Sequence, residues 1–261
     1  MITAVCGGKG GTGKSTYALL LARRTGSLLV DTDVESSSLH LLMGVDVGEK
    51  VSDVFVGKPV LLKEKCKRCG ICAQNCRFNA IFLDREGYPR FLYDLCERCA
   101  VCAEVCPFGA IKMEKEKVGE VYYNPGARLV TGKLMEGEAR PIVQEMIAVA
   151  RDISSDMILD CPAGIHCNVI GQMVEADRVI VVTEPTPLGF SGLKVAVETA
   201  LEVGRKPDVV VNRYEPNGIY GKIEEFCREK GLKIVEKIEF SDDLARAYAR
   251  GKLVDYLGGL E

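Results

Sequence analysis

Eight of the twelve cysteines fall into two runs of identical spacing. Cys66-x2-Cys69-x2-Cys72-x3-Cys76 is followed by Cys96-x2-Cys99-x2-Cys102-x3-Cys106, with Pro107 next. Thiolates are soft ligands, and this spacing wraps a cubane [4Fe–4S] cluster. The runs form an internal repeat, because CKRCGICAQNCRFNAI aligns with CERCAVCAEVCPFGAI without a gap. Halves related in this way exchange their fourth ligand. One cluster is therefore expected on Cys66, Cys69, Cys72 and Cys106, and the other on Cys96, Cys99, Cys102 and Cys76. The rival reading is a pair of zinc sites or a disulfide frame. Zinc needs four ligands per site, but it gives no reason for the same triplet to occur twice. The chemistry expected of this stretch is one-electron transfer, as in a two-cluster ferredoxin.

A different chemistry opens the chain. The apolar run MITAVC predicts a buried strand, and GGKGGTGKST follows it. Gly8-x4-Gly13-Lys14-Ser15 is a P-loop. Backbone N–H groups of Gly8, Gly10, Gly11, Thr12 and Gly13 can approach phosphates there, and the helix that follows turns its positive end to the anion. With ATP or ADP bound, Lys14 is expected at the β- and γ-phosphates, Ser15 at Mg²⁺ and Thr16 at the α-phosphate. Three acids at strand ends complete this set. Asp160 is expected to hold the Mg²⁺ waters. Asp33 is expected to orient or deprotonate the attacking water, with Asp31 in support. The plainer role for each acid is a helix cap or a turn.

These residues need a scaffold that gathers strand ends. Helices are predicted over 15–24, 36–43, 139–151, 190–203, 218–230 and 241–250. Strands are predicted over 27–33, 156–160, 178–184, 207–213 and 232–237, with an extended pair on either side of Pro125-Gly126. Alternation of strand and helix predicts a parallel sheet covered on both faces, with ligands at the carboxyl ends of its strands. The region through Gly57 and Pro59 reads as a mixed linker, and Lys112–Glu120 as a solvated charged exit. The domain expectation is a discontinuous nucleotide domain, 1–60 and 117–261, with a ferredoxin insert over 61–116.

Composition agrees with this scheme. A chain of 261 residues, 47% of them apolar, suits one α/β domain plus a small insert. A net charge of −3 gives no sign of nucleic-acid or membrane binding. No leader is read before the first strand, and no apolar run reaches membrane-spanning length. Thiols kept free for clusters point to a reducing compartment, hence the cytoplasm.

The run Lys9-Gly10-Gly11-Thr12-Gly13-Lys14-Ser15-Thr16 resembles the deviant P-loop of the MinD/ParA/Mrp/nitrogenase-iron-protein (SIMIBI) group. Asp31-x-Asp33 and Asp160-x-Pro162-x-Gly164 match that group too. A ferredoxin placed after the second strand looks like the MinD-superfamily ATPases with an inserted ferredoxin domain. The resemblance implies a doubly wound, mostly parallel α/β sheet carrying an α+β bacterial-type ferredoxin. It implies that Lys9 reaches across a dimer to the partner's nucleotide, in a homodimer or a heterodimer with a related P-loop subunit. It also implies that Asn212 reads the adenine edge. One departure is Arg77 after Cys76, where Pro107 follows Cys106. Another is the missing C-terminal Cys-x2-Cys of Mrp-type scaffolds, where this chain has Cys227.

Four cysteines remain. Cys6 and Cys227 read as core. Cys161 and Cys167 flank the nucleotide switch, as free thiols or as ligands of a cluster bridging the dimer. His166 reads as a surface or dimer contact. Three functions follow from the two modules. The leading one is an ATPase, slow without its partner, that couples nucleotide state to electron transfer between a redox donor and acceptor protein. The others are ATP-dependent assembly of a cluster or metallocofactor, and a redox-sensing ATPase switch. Four thiols per cluster favour permanently held clusters, hence the first.

Overall fold

The opening apolar run forms β1 (Ile2–Cys6), with four of its five residues buried, in the computed structural model, which describes residues 1–254. A glycine-rich loop leads to α1 (Lys14–Thr25), then β2 (Leu28–Asp31) and α2 (Leu39–Met43). Next come β3 (Glu49–Leu61), α3 (Ile71–Gln74), β4 (Ile81–Leu83), β5 (Pro89–Phe91), α4 (Val101–Glu104) and β6 (Ile111–Asn124). The chain continues through β7 (Leu129–Leu134), α5 (Arg140–Ile153), β8 (Met157–Asp160), α6 (Cys167–Glu175) and β9 (Arg178–Thr183). It closes with α7 (Pro187–Glu202), β10 (Asp208–Tyr214), α8 (Gly218–Glu229), β11 (Ile234–Glu239) and α9 (Asp242–Ala249).

Hydrogen bonding orders the large sheet β11-β10-β9-β1-β8-β2-β7-β6-β3. From β11 to β7 every pairing is parallel. Because the strands run the same way, β1, β2, β8, β9 and β10 all end on one edge, where an α/β sheet binds its ligands. Helices bury apolar stripes against the sheet. In α5 the stripe is Ile142, Val143, Met146, Ile147 and Ala150, at helical spacing.

The chain divides into two compact units. The first comprises Met1–Ser52, Glu120–Lys133 and the chain from Ile142 onward; the second comprises Asp53–Gly119 and Leu134–Pro141. The second unit contains both cysteine runs, the antiparallel pair β4–β5 and the short helices α3 and α4. Its small apolar cluster is built from Cys72, Ile81 and Ile111, with Phe91 and Cys76 packed beside it.

Two sequence expectations are corrected. The stretch expected as a linker through Gly57 and Pro59 is the strand β3. It is last in the sheet order, and an edge strand tolerates a proline that cannot donate to the ladder. Lys112–Glu120, expected as a solvated exit, lies within β6. Glu116 binds Lys58 and Lys117 Nζ lies 2.8 Å from Asp53, while Lys112, Glu114 and Lys115 are exposed, as a solvated stretch would be. Helix α6, between β8 and β9, had no counterpart in the sequence reading. Among the described residues no helix is long and apolar enough to cross a membrane.

Candidate functional site

Small residues shape the loop after β1. A Cβ on Gly8 would lie 2.1 Å from the Gly192 carbonyl oxygen of α7, so only glycine allows this approach. Gly13, at φ +90°, caps α1 and packs against Asn212, whose Nδ2 would lie 2.2 Å from an added Cβ. Gly11, Gly13, Lys14, Ser15 and Thr16 line a cavity of about 290 Å³ with Asn212, Phe240 and Tyr248. Asn212 Nδ2 donates to the Thr12 carbonyl at 2.9 Å, which ties β10 to the loop. Lys14 is buried and its Nζ donates to the Lys9 carbonyl at 3.1 Å.

Three strand-end acids lie at this edge in different states. Asp31 is 1% exposed, and its Oδ2 accepts from the Ser37 hydroxyl at 2.8 Å and from the N–H groups of Ser38 and Leu39 at 3.0 Å. It satisfies donors at the start of α2, the capping role weighed above. Burial pushes its carboxyl up, and those hydrogen bonds pull it back. Its Oδ1 accepts the Asp33 N–H at 3.3 Å, so Asp31 supports Asp33 through the backbone. Asp33 is half-buried. Asp160 is buried, and its Oδ1 has no hydrogen-bond partner. Burial first, then the Asp31 charge, push its carboxyl up to about 8, while a hydrogen bond with Ser15 and the Lys14 charge pull it down. An orphaned buried carboxylate oxygen beside a serine hydroxyl suits a hydrated divalent cation.

Lys9 ion-pairs with Glu184 of its own chain. Arg213 Nη1 binds the other Glu184 oxygen at 2.9 Å. Burial works to raise the Glu184 carboxyl, but the Lys9 bond and charge, with Thr186 and Arg213, hold it below the usual range. The sequence reading did not single out Glu184. It follows β9 directly, so the rule that pointed to Asp31 and Asp160 would have found it. Thr32 and Gln172 were also missed. The Thr32 hydroxyl lies 2.8 Å from both the Asp160 carbonyl and Gln172 Oε1, and the Cys161 thiol lies 3.1 Å from that same Oε1. These contacts link the ends of β2 and β8 to α6, and no local sequence pattern signals them. Cys161 is buried, whereas Cys167 is exposed at the start of α6. His166 is the N-cap residue of α6.

The repeat in the second unit reappears in its backbone. Helices α3 and α4 begin at Ile71 and Val101, equivalent positions of the two runs. Left-handed residues also match: Arg68 with Arg98 (φ 59° and 54°), Gly70 with Ala100 (74° and 62°), and Asn79 with Gly109 (53° and 56°). These turns curl each loop around its sulfurs. The N–H groups of Arg68, Ala80 and Ala110 lie 3.4, 3.3 and 3.3 Å from the sulfurs of Cys66, Cys76 and Cys106.

Cys66, Cys69, Cys72 and Cys106 line one cavity. Cys76, Cys96, Cys99 and Cys102 line another, of about 300 Å³. Burial, then the nearby Cys106 and Cys66, push the Cys72 thiol up. Burial, then Cys96, push the Cys102 thiol up to about 11. Thiols that crowd one another and resist ionisation need a cationic centre before they can act as thiolates. Among the described residues no three His, Cys, Asp or Glu side chains converge as ligands of a single metal ion. Four thiols around a cavity form a donor set that could hold a [4Fe–4S] cluster.

The model of the CobQ/CobB/MinD/ParA nucleotide binding domain matches residues 3–254. Protein MJ0579 of Methanocaldococcus jannaschii is 32% identical over 228 residues, 82% of this chain and 80% of that protein. The septum site-determining protein MinD of Pyrococcus horikoshii, solved with Mg-ADP, superposes with a TM-score of 0.55 at 16% identity, covering 100% of this chain and 89% of that one. At that identity the likeness speaks for the fold. The pyruvate synthase subunit PorD of the same organism is 47% identical over 54 residues, 21% of this chain and 51% of PorD. The P-loop, the parallel sheet and the family match agree: this chain belongs to the CobQ/CobB/MinD/ParA nucleotide-binding domain family.

Proposed function

We propose that this protein is a P-loop ATPase in which nucleotide state controls one-electron transfer through two [4Fe–4S] clusters. The division of labour is an ATPase domain over 1–60 and 117–261 with a ferredoxin insert over 61–116. The observation that carries this reading is the sorting of eight cysteines into two four-thiol cavities, each pairing a triplet with the fourth cysteine of the other run. The PorD match supports it, being about as long as the 61–116 segment.

The roles follow from the edge geometry. Backbone N–H groups from Gly8 to Gly13 receive the phosphates. Lys14 leaves the Lys9 carbonyl to reach the β- and γ-phosphates, and Thr16 meets the α-phosphate. Ser15 and Asp160 hold Mg²⁺ and its waters, relieving the orphaned Asp160 oxygen. Asp33 orients the attacking water. Asn212 has its amide nitrogen committed to Thr12, which leaves Oδ1 to accept from the adenine amine. Lys9 reaches the nucleotide of a second P-loop subunit, identical or related, after leaving Glu184. Bound clusters would supply one-electron redox chemistry. The chain's part is to ligate them through the two cysteine sets and to present them to a redox partner protein.

The test is an anaerobic preparation analysed for iron and acid-labile sulfide, then titrated by EPR without nucleotide, with MgADP and with MgATP. The expected result is two clusters per chain whose potentials or partner affinity differ between nucleotide states. Absence of iron and sulfide would overturn the reading. Potentials and partner affinity identical in all three states, together with transfer of the clusters to an apo-acceptor, would replace it with an assembly role.

A further inference from the structure

The two four-thiol cavities share a backbone but not a charge. We infer that they are split in redox potential, with the cluster on Cys66, Cys69, Cys72 and Cys106 reduced before the cluster on Cys76, Cys96, Cys99 and Cys102. This rests on the iron–sulfur reading above and adds an order of electron occupancy to it.

Reduction adds one negative charge to the site that accepts the electron, so cations nearby raise its potential and anions lower it. Between the first two cysteines of each run stand equivalent pairs, Lys67-Arg68 and Glu97-Arg98. Lys67 and Arg68 line the first cavity, and no acid is among its described lining residues. Arg77, Arg98 and Glu97 line the second. The balance of lining charge is therefore more positive in the first.

The two equivalent arginines widen the difference. Arg68 Nη2 donates to the Tyr88 hydroxyl at 2.8 Å, and its guanidinium carbon lies 4.5 Å above the Tyr88 ring. This partner is a hydroxyl and not a carboxylate, so the charge of Arg68 is left to act on the cavity. Lys63 lies 4.5 Å from the same ring and 3.6 Å from Glu86. Arg98 Nη2 instead lies 3.6 Å from the Glu116 carboxylate, and the side chains are only 21% and 18% exposed. Glu116 also binds Lys58, so one carboxylate stands between two cations beside the second cavity. Arg77 restores part of that cavity's positive charge, and Glu97 offsets it, whereas no acid is among the described residues lining the cavity of Lys67 and Arg68.

The test is an anaerobic EPR-monitored titration of the full chain with dithionite, preceded by iron and sulfide analysis. Wild type should show two one-electron waves separated by at least tenfold in equilibrium constant, about 59 mV. Arg68→Gln should lower the earlier wave and leave the later one in place. Glu116→Gln should raise the later wave and narrow the gap. Should Arg68→Gln lose iron, Lys67→Gln reads the same cavity from an exposed position. A single unsplit wave with full iron and sulfide, or an Arg68→Gln or Lys67→Gln shift confined to the later wave, overturns the inference and leaves the proposed function standing. A preparation without iron and sulfide overturns both.

Discussion

The nucleotide unit and the cysteine unit are built on opposite economies of burial. The first buries large side chains almost completely, among them Leu19, Leu29, Leu129, Ile142, Met146, Met173 and Leu193. The second gathers its core around Cys72, Ile81 and Ile111, and leaves Phe78, Phe82, Leu92 and Phe108 exposed. A small unit with so little buried carbon needs another source of stability, and ligand bonds are a common one. The nucleotide unit therefore has a carbon core large enough to hold its fold before any ligand arrives. The small carbon core of the cysteine unit leads to the expectation that, if the proposed clusters are bound, they help hold its fold.

The strongest way to break that comparison is to remove iron. Anaerobic chelation of the full chain should abolish hydrogen-exchange protection across 62–110 while amides of β8 and β9 stay protected. Retained protection in the cysteine unit would show that its carbon core suffices. Next in size is Lys14→Ala. Nucleotide affinity should fall at least about 100-fold, roughly 2.7 kcal/mol, with the visible absorption of the clusters unchanged. Loss of both would mean that the units do not hold their sites independently.

Asp160→Asn sharpens the picture of a site built on a core that needs no ligand. It removes a buried carboxyl, raised to about 8 by burial, that must take up a proton on folding at neutral pH and has no partner on one oxygen. The cation-free protein should gain about 1 kcal/mol in denaturant unfolding, while MgATP hydrolysis falls at least about 100-fold. Hydrolysis at the wild-type rate would remove Asp160 from the catalytic set. The smallest effect is expected at Ala100, a non-glycine residue at φ 62° where the repeat has Gly70 at 74°. Ala100→Gly should stabilise the iron-loaded cysteine unit by about 0.5–1 kcal/mol, read as a higher bleaching temperature of the chromophore. No gain would mean that the ligand bonds, rather than the backbone, set the limit there.

Local pattern was enough for much of this protein. Apolar runs ending in acids marked β2 and β8, and Gly8-x4-Gly13-Lys14-Ser15 marked the loop between β1 and α1, because backbone freedom and hydrophobic period are properties of a few adjacent residues. The cysteine spacing and its repeat were visible for the same reason. Other features depended on partners far apart in the chain. Pro59 hid β3 because only its edge position makes a proline acceptable in the sheet. The pairing of Lys9 and Arg213 with Glu184, the contacts of Thr32 with Asp160 and Gln172, and the different partners of Arg68 and Arg98 arise where separate strands and loops meet. The residue types available at each site were set by the sequence alone. Which charge faces which, and which carboxyl oxygen is left without a partner, was decided by the tertiary structure, because desolvation and Coulomb energy depend on three-dimensional neighbours.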